Sequence, residues 1–204
     1  MSDFTTPARL TSVAVYCGTN SGTDPAYAQA AASLGKTLAD RGVTLVYGGG
    51  KLGLMGTVAD AVLANGGEAH GVITEALREK EVAHQGLTSL QVVPTMRERK
   101  AAMAEAADAF IMLPGGYGTL EEFFEVLSAT QLRIHDKPCG VLNTAGFYAA
   151  LRALLDDTVT GGFVHPAHRD MVLFDEDPAT LLDRLAAWTP VTASKWLDRP
   201  GAPR

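Results

Sequence analysis

The chain has 204 residues, 47% of them hydrophobic, which suits one globular domain with a substantial core and excludes disorder as its main state. Its 17 Lys and Arg against 23 Asp and Glu leave a net charge of −6, so it lacks the basic footprint that neutralises nucleic-acid phosphates, and no nucleic-acid partner is expected. No stretch approaches the ~18 consecutive apolar residues of a membrane span, and the segment up to Thr11 has no basic-then-apolar leader, so a cytoplasmic protein without a membrane partner is expected.

Short β-branched runs alternate with longer Ala- and Leu-rich segments. Ser12–Cys17 reads as the first strand, followed by a helix at about 25–41 that opens on Asp24 and Pro25, an N-cap with proline at the first helical position. Val43–Tyr47 precedes a helix at 54–65, and Ala69–Ile73 and Leu90–Val93 lead to a helix at 96–107. Ala109–Leu113 precedes a helix at 119–132, and Gly140–Leu142 is followed by helices at 146–158 and 178–188, the last again opened by Asp177 and Pro178. This order predicts an α/β protein with a doubly wound, mostly parallel sheet and helices on both faces, because parallel neighbours need crossover connections. Residues 1–11 read as a flexible N-terminus, 12–188 as a single α/β domain and 189–204 as a tail whose Trp196 and Leu197 could dock on a surface.

Ligands of such sheets bind outside the carboxyl ends of the strands. That rule singles out the loops after Cys17, Tyr47, Ile73, Val93 and Leu113. In Tyr47–Gly56, Gly48, Gly50 and Gly53 satisfy GxGxxG. A dinucleotide fingerprint, however, belongs to the first strand-to-helix turn and wants an acid at the far end of the next strand, whereas Glu68 enters that strand and Glu75 comes late. A Walker A loop fails for want of a Gly-Lys-Ser/Thr ending.

Leu113–Glu122 is the sharper loop: Gly115, Gly116 and Gly118 let a ligand approach the main chain, and the following helix start with Thr119 forms a phosphate cradle. Glu121 and Glu122, one turn in, either favour the helix start or face a different part of the ligand. Arg99 and Lys100, near the start of the 96–107 helix, are expected to aim inward toward an anionic partner. Cys17 and Cys139 read as buried core thiols, and His165 and His168 as structural residues, so no metal site is expected. No lysine stands out as a Schiff-base residue.

Together YGGGKLGLMG, MRERKAAM and PGGYGTLEE resemble the LOG family of cytokinin riboside 5′-monophosphate phosphoribohydrolases, once often labelled lysine decarboxylases. The resemblance runs from about Ser12 to Leu155 and includes Cys17–Gly22 and Asp136–Asn143. It implies a Rossmann-like homodimer, without cofactor or metal, that hydrolyses the N-glycosidic bond of an N6-modified AMP to free base and ribose 5-phosphate. By matching position it implies catalytic roles for Arg99 and Glu122, and substrate or phosphate contact by Glu81, Lys100, Gly115, Gly116, Tyr117, Gly118, Thr119, Leu120 and Glu121. Gly18, Ser21, Gly48, Gly49, Gly50 and Met55 are secondary loop candidates.

The alternatives are a broader nucleoside 5′-monophosphate nucleosidase and a non-catalytic carrier of a phosphorylated ligand, similar to molybdenum-cofactor carriers. Two departures stand out. Arg97 replaces a common His, and Ser128–Arg133 lacks the Trp and Gly of the usual TWxQLG, which bears on the preferred base and on the dimer contact.

Overall fold

Strand β1 (Ser12–Tyr16) is buried on both faces: Val13 and Val15 join one apolar cluster, while Ala14 and Tyr16 join another. That double burial is what a central parallel strand requires, and it explains the near-continuous apolar run. The computed structural model describes residues 10–80 and 83–193. After β1 come α1 (Pro25–Asp40), β2 (Thr44–Tyr47), α2 (Gly53–Ala64), β3 (Ala69–Thr74), α3 (Glu75–Lys80), β4 (Ser89–Val93) and α4 (Met96–Ala106). The chain continues through β5 (Ala109–Met112), α5 (Tyr117–Gln131), β6 (Cys139–Leu142), α6 (Ala149–Thr160), α7 (Pro166–Arg169), β7 (Val172–Asp175) and α8 (Pro178–Ala186).

Among the described residues seven strands pair in parallel in the order β4-β3-β2-β1-β5-β6-β7, the doubly wound α/β architecture expected from the strand–helix alternation. Helices α1, α2 and α8 bury their apolar sides on the Val13 face, and α4, α5 and α6 on the Tyr16 face. The Asp-Pro starts behave as their chemistry dictates, with Asp24 accepting from the Ala26 N–H and Asp177 from the Thr180 N–H.

The sequence reading omits β7, because Val172–Asp175 is a four-residue run with no alternation to mark it. It also starts the helix at 146 too early. Residues Thr144–Gly146 form a 3-10 turn, with Ala145 and Gly146 at φ +51° and +72°, and α6 begins at Ala149. Cys17 and Cys139 are free and buried, and burial pushes both thiols up, that of Cys139 to about 12, so neither is a reactive nucleophile.

Neighbours β1 and β5 send their following chains to opposite sides of the sheet, so a crevice opens between their carboxyl ends. The Gly18 N–H donates to the Pro114 carbonyl at 3.0 Å, tying the two loops at its floor. The buried Tyr148 hydroxyl donates to the Leu113 carbonyl at 2.8 Å and fixes the second loop from α6.

Candidate active site

The crevice encloses about 240 Å³ and is lined by Gly18, Ser21, Tyr27, Gly115, Gly116 and Phe147, among others. Helix α5 starts above it with Gly116 as N-cap and no side-chain cap, so the N–H groups of its first turn are left for a ligand. A Cβ at Gly116 or Gly118 would meet nothing within 4 Å, whereas one at Gly115 would collide with the buried Thr119 side chain. Thus Gly115 lets the loop fold on itself, and Gly116 and Gly118 keep the approach open. Tyr117 is 94% exposed, and Leu120 packs on the core, so the side chains between these glycines leave the turn clear.

The glycines after β2 do something different from what their GxGxxG spacing advertises. Gly48 lacks a Cβ because the Arg99 guanidinium and the Met55 sulfur fill that place. Gly49 sits at φ +76° against Ile73 and Leu90, and Gly50 bridges to Ala83. These three residues therefore face protein and do not line the crevice with Gly115 and Gly116. Glu68 stands at the entry of β3, the wrong end of the strand for a ribose.

Arg99 is the buried cation of the site. Helix α4 is capped by Thr95, whose hydroxyl accepts from the Glu98 N–H, and this sets the turn on which Arg97 and Glu98 face solvent while Arg99 faces in. Its Nε donates to the Val72 carbonyl at 3.0 Å and its Nη2 to the Gly48 carbonyl at 3.1 Å, while Nη1 lies 3.6 Å from Glu122 Oε1. The Glu122 side chain is 14% exposed.

The adjacent Lys100 is committed elsewhere: its ammonium pairs with Glu121 and, at 2.7 Å, with Glu125. The hydrogen bonds to Glu121 and Glu125 hold its pKa above the ordinary lysine value, opposite to what an amine nucleophile needs. The two glutamates that the sequence left open are thus separated, Glu121 bound to Lys100 at the 56%-exposed rim and Glu122 beside Arg99 inside. Glu81 lies outside the described residues.

Beyond Glu122, α4 and α5 enclose a second recess of about 170 Å³, whose walls include Tyr16, Ala101, Ala104, Glu122, Val126 and Ala129. Tyr16 and His135, at its edge, were not flagged by the sequence reading. Burial, with Glu122 next, raises the Tyr16 phenol, and burial, with Lys137 next, lowers His135. The signal for Tyr16 was its place at the carboxyl end of β1, on the Ala14 side of the alternation. Among the described residues no group of three or more His, Cys, Asp or Glu gathers as a metal site. His165 caps α7, and His168 is buried with its Nε2 3.0 Å from the Ala193 carbonyl.

A family model described as "possible lysine decarboxylase" matches residues 55–185. The chain is 48% identical over 184 residues to the probable cytokinin riboside 5′-monophosphate phosphoribohydrolase LOGL9 of Oryza sativa subsp. japonica, covering 90% of this chain and 81% of that one. It is 44% identical, with the same coverages, to the cytokinin riboside 5′-monophosphate phosphoribohydrolase LOG5 of Arabidopsis thaliana. The chain belongs to the LOG family.

Solved structures share the LOG chain's fold at low identity. The molybdenum cofactor carrier protein of Chlamydomonas reinhardtii aligns with TM-score 0.67 and 20% identity over 88% of this chain and 100% of that one. The molybdenum cofactor binding protein of Rippkaea orientalis aligns with TM-score 0.63 and 20% identity, over 86% and 95%.

One departure of this LOG chain now has a physical reading. Helix α5 ends with the Ile134 N–H on the Ala129 carbonyl and the Arg133 N–H on the Thr130 carbonyl, the paired bonds of a Schellman stop. That stop places Arg133 at φ +57°, where glycine fits without cost and arginine does not.

Proposed function

We propose that this protein hydrolyses the N-glycosidic bond of a cytokinin riboside 5′-monophosphate, releasing the free base and ribose 5-phosphate. The observation that carries the reading is the buried Arg99–Glu122 pair, set one to two turns beyond an uncapped, glycine-opened helix start. The likeness to the plant enzymes named above supports the same activity.

In this reading the 5′-phosphate sits on the first-turn N–H groups of α5, with Gly116 and Gly118 open to it and the helix dipole favouring its charge. Glu122 then lies ~9 Å along the helix from Gly116, at ~1.5 Å rise per residue, which places it at the sugar and clear of the phosphate. As the bond from C1′ to the base nitrogen breaks, its electron pair leaves with the base and positive charge grows on the ribose. The Glu122 carboxylate stabilises that charge and accepts a proton from the water whose oxygen bonds to C1′; the departing base takes up a proton.

Arg99 is engaged by two backbone carbonyls and by Glu122, so its role here is to hold the carboxylate ionised and aimed. A carrier of a phosphorylated ligand would use the cradle but has no use for this buried pair. A homodimer in the cytoplasm remains part of the proposal, with the exposed Leu132 and Leu154 as apolar surface for a second copy to cover.

Glu122→Gln tests the reading. The variant is expected to release no free base from isopentenyladenosine monophosphate while binding ribose 5-phosphate within a few-fold of the parent by calorimetry. Undiminished turnover would overturn the role of Glu122, and absence of release by the parent protein from every monophosphate tried would overturn the activity.

A further inference from the structure

Away from the crevice, His84 is a buried polar residue, 7% exposed, on the chain that leaves α3. Its neighbour Ala83 bridges Gly50, and its own N–H donates to the Gly49 carbonyl at 3.0 Å, so this chain is paired to the loop after β2. The imidazole has two further partners. The Gly86 N–H, which can only donate, lies 3.0 Å from Nδ1, and this fixes Nδ1 as the bare acceptor. Nε2 therefore carries the ring hydrogen and donates it at 2.8 Å to Oδ1 of Asp60 on α2.

These bonds converge on the seat of Arg99. The carbonyls of two consecutive glycines are taken by different partners: that of Gly48 accepts from Arg99 Nη2 at 3.1 Å, and that of Gly49 accepts from the His84 N–H. Between them stands only Gly49, at φ +76°, a residue with no Cβ to restrain the turn. The aim of the Gly48 carbonyl is thus set by what grips the loop on either side. A main-chain N–H exists whatever residue stands at 84. The imidazole is what holds it in register, by tying the segment to α2 through Asp60 and closing its turn through Gly86. Asp60 itself is 64% exposed and lies outside the lining of the crevice.

We propose that His84 is a positioning residue, whose bonds to Asp60 and Gly86 clamp the Gly49 carbonyl and so keep the Gly48 carbonyl where it seats Arg99 beside Glu122. The proposal rests on the hydrolase reading above. His84 acts through Arg99 and touches no reacting atom.

Asp60 offers the cleanest test, because an exposed side chain can be changed with little effect on the fold. Asp60→Ala removes the acceptor of the ring hydrogen, and Asp60→Asn keeps an oxygen in its place. With isopentenyladenosine monophosphate, Asp60→Ala is expected to lose roughly tenfold in kcat, less than the ~100-fold of a ~1 Å misplacement. Its KM should stay within about twofold of the parent, because the phosphate cradle on α5 is untouched. Asp60→Asn should keep parent-like kcat. His84→Ala should lose at least as much as Asp60→Ala, and the double variant no more than His84→Ala alone, since both changes break one link. Amide hydrogen exchange at the His84 N–H gives a readout independent of turnover: it should quicken in Asp60→Ala and not in Asp60→Asn.

Parent-like kcat in Asp60→Ala despite quickened exchange would overturn the positioning role, as would an equal loss of kcat in Asp60→Asn. Unchanged exchange at His84 in Asp60→Ala would overturn the clamp. No turnover of any monophosphate by the parent would fell the hydrolase reading and the positioning role with it, and the exchange at His84 tells that outcome apart from failure of the clamp.

Discussion

Gly48 and Arg99 are 51 positions apart, and each is explained by the other. A Cβ at Gly48 would overlap the Arg99 guanidinium, whose Nη2 donates to the Gly48 carbonyl. Gly48→Ala should therefore leave the fold intact by circular dichroism yet push Arg99 away from Glu122. A drop of about 100-fold in kcat/KM is expected, the scale of a ~1 Å misplacement in a catalytic constellation. Parent-like activity would show that the guanidinium's seat is not what positions Glu122.

This pair also marks where sequence reading stops. That Gly48 is a glycine for a reason was legible, as was the inward aim of Arg99, because a cation near a helix start asks for an anion. That the two reasons were one was not, since a GxGxxG spacing says nothing about what fills the space over the loop. Glu121 and Glu122 were likewise inseparable until the packing of α5 on α4 fixed which of them turns toward Arg99.

Helix α5 carries the candidate site at one end and a strain at the other. Arg133 holds φ +57° to complete the Schellman stop. Its guanidinium is 3.9 Å from Asp136 in an exposed pair, too weak to repay that conformation. Arg133→Gly is expected to stabilise the protein by about 1 kcal/mol, the left-handed penalty of an ordinary residue, read as a higher midpoint in urea with unchanged slope. A lower midpoint would mean that the side chain makes a contribution beyond that pair.

Elements with strong punctuation, such as α1 and α8 behind Asp-Pro, were readable from the chain almost to the residue. Strand β7 was not, because a four-residue run of three apolar residues and an aspartate at a sheet edge is specified by pairing with β6 and not by any local pattern.

Over the whole molecule, the candidate site and the anchorage sit at opposite ends of the sheet. Asp108, just before β5, accepts hydrogen bonds from the Thr11 N–H and hydroxyl and from the Ser12 N–H, fastening the amino ends of β1 and β5. Burial alone would raise its carboxyl, but these bonds outweigh burial and hold it below the ordinary aspartate value. A depressed folded pKa means the ionised form favours the fold. Its contribution is complete above the unfolded value of about 3.9 and is lost as pH falls through the folded value.

Asp108→Asn should thus lower the thermal midpoint at neutral pH and flatten the loss of stability below about pH 4. It should leave kcat/KM unchanged at 25 °C, since the crevice lies at the other end. A loss of activity at full folding would refute that separation. The alternating strand and helix pattern made the sheet's class legible from the chain. The shared floor of the crevice was not, because the bond from Gly18 to Pro114 joins two loops that only the order β1-β5 makes neighbours.

The turn at Gly116 and Gly118 offers main chain alone to the proposed phosphate, and a main-chain grip is encoded by side chains that are missing. Substitution there obstructs the grip but does not redirect it. On the proposed reading, change in function is then channelled to the side chains further along α5, with Glu122 deciding whether a bond is cut. On that reading a descendant that lost Glu122 would keep hold of phosphorylated molecules and cut none of them, a loss of function confined to a single helix face.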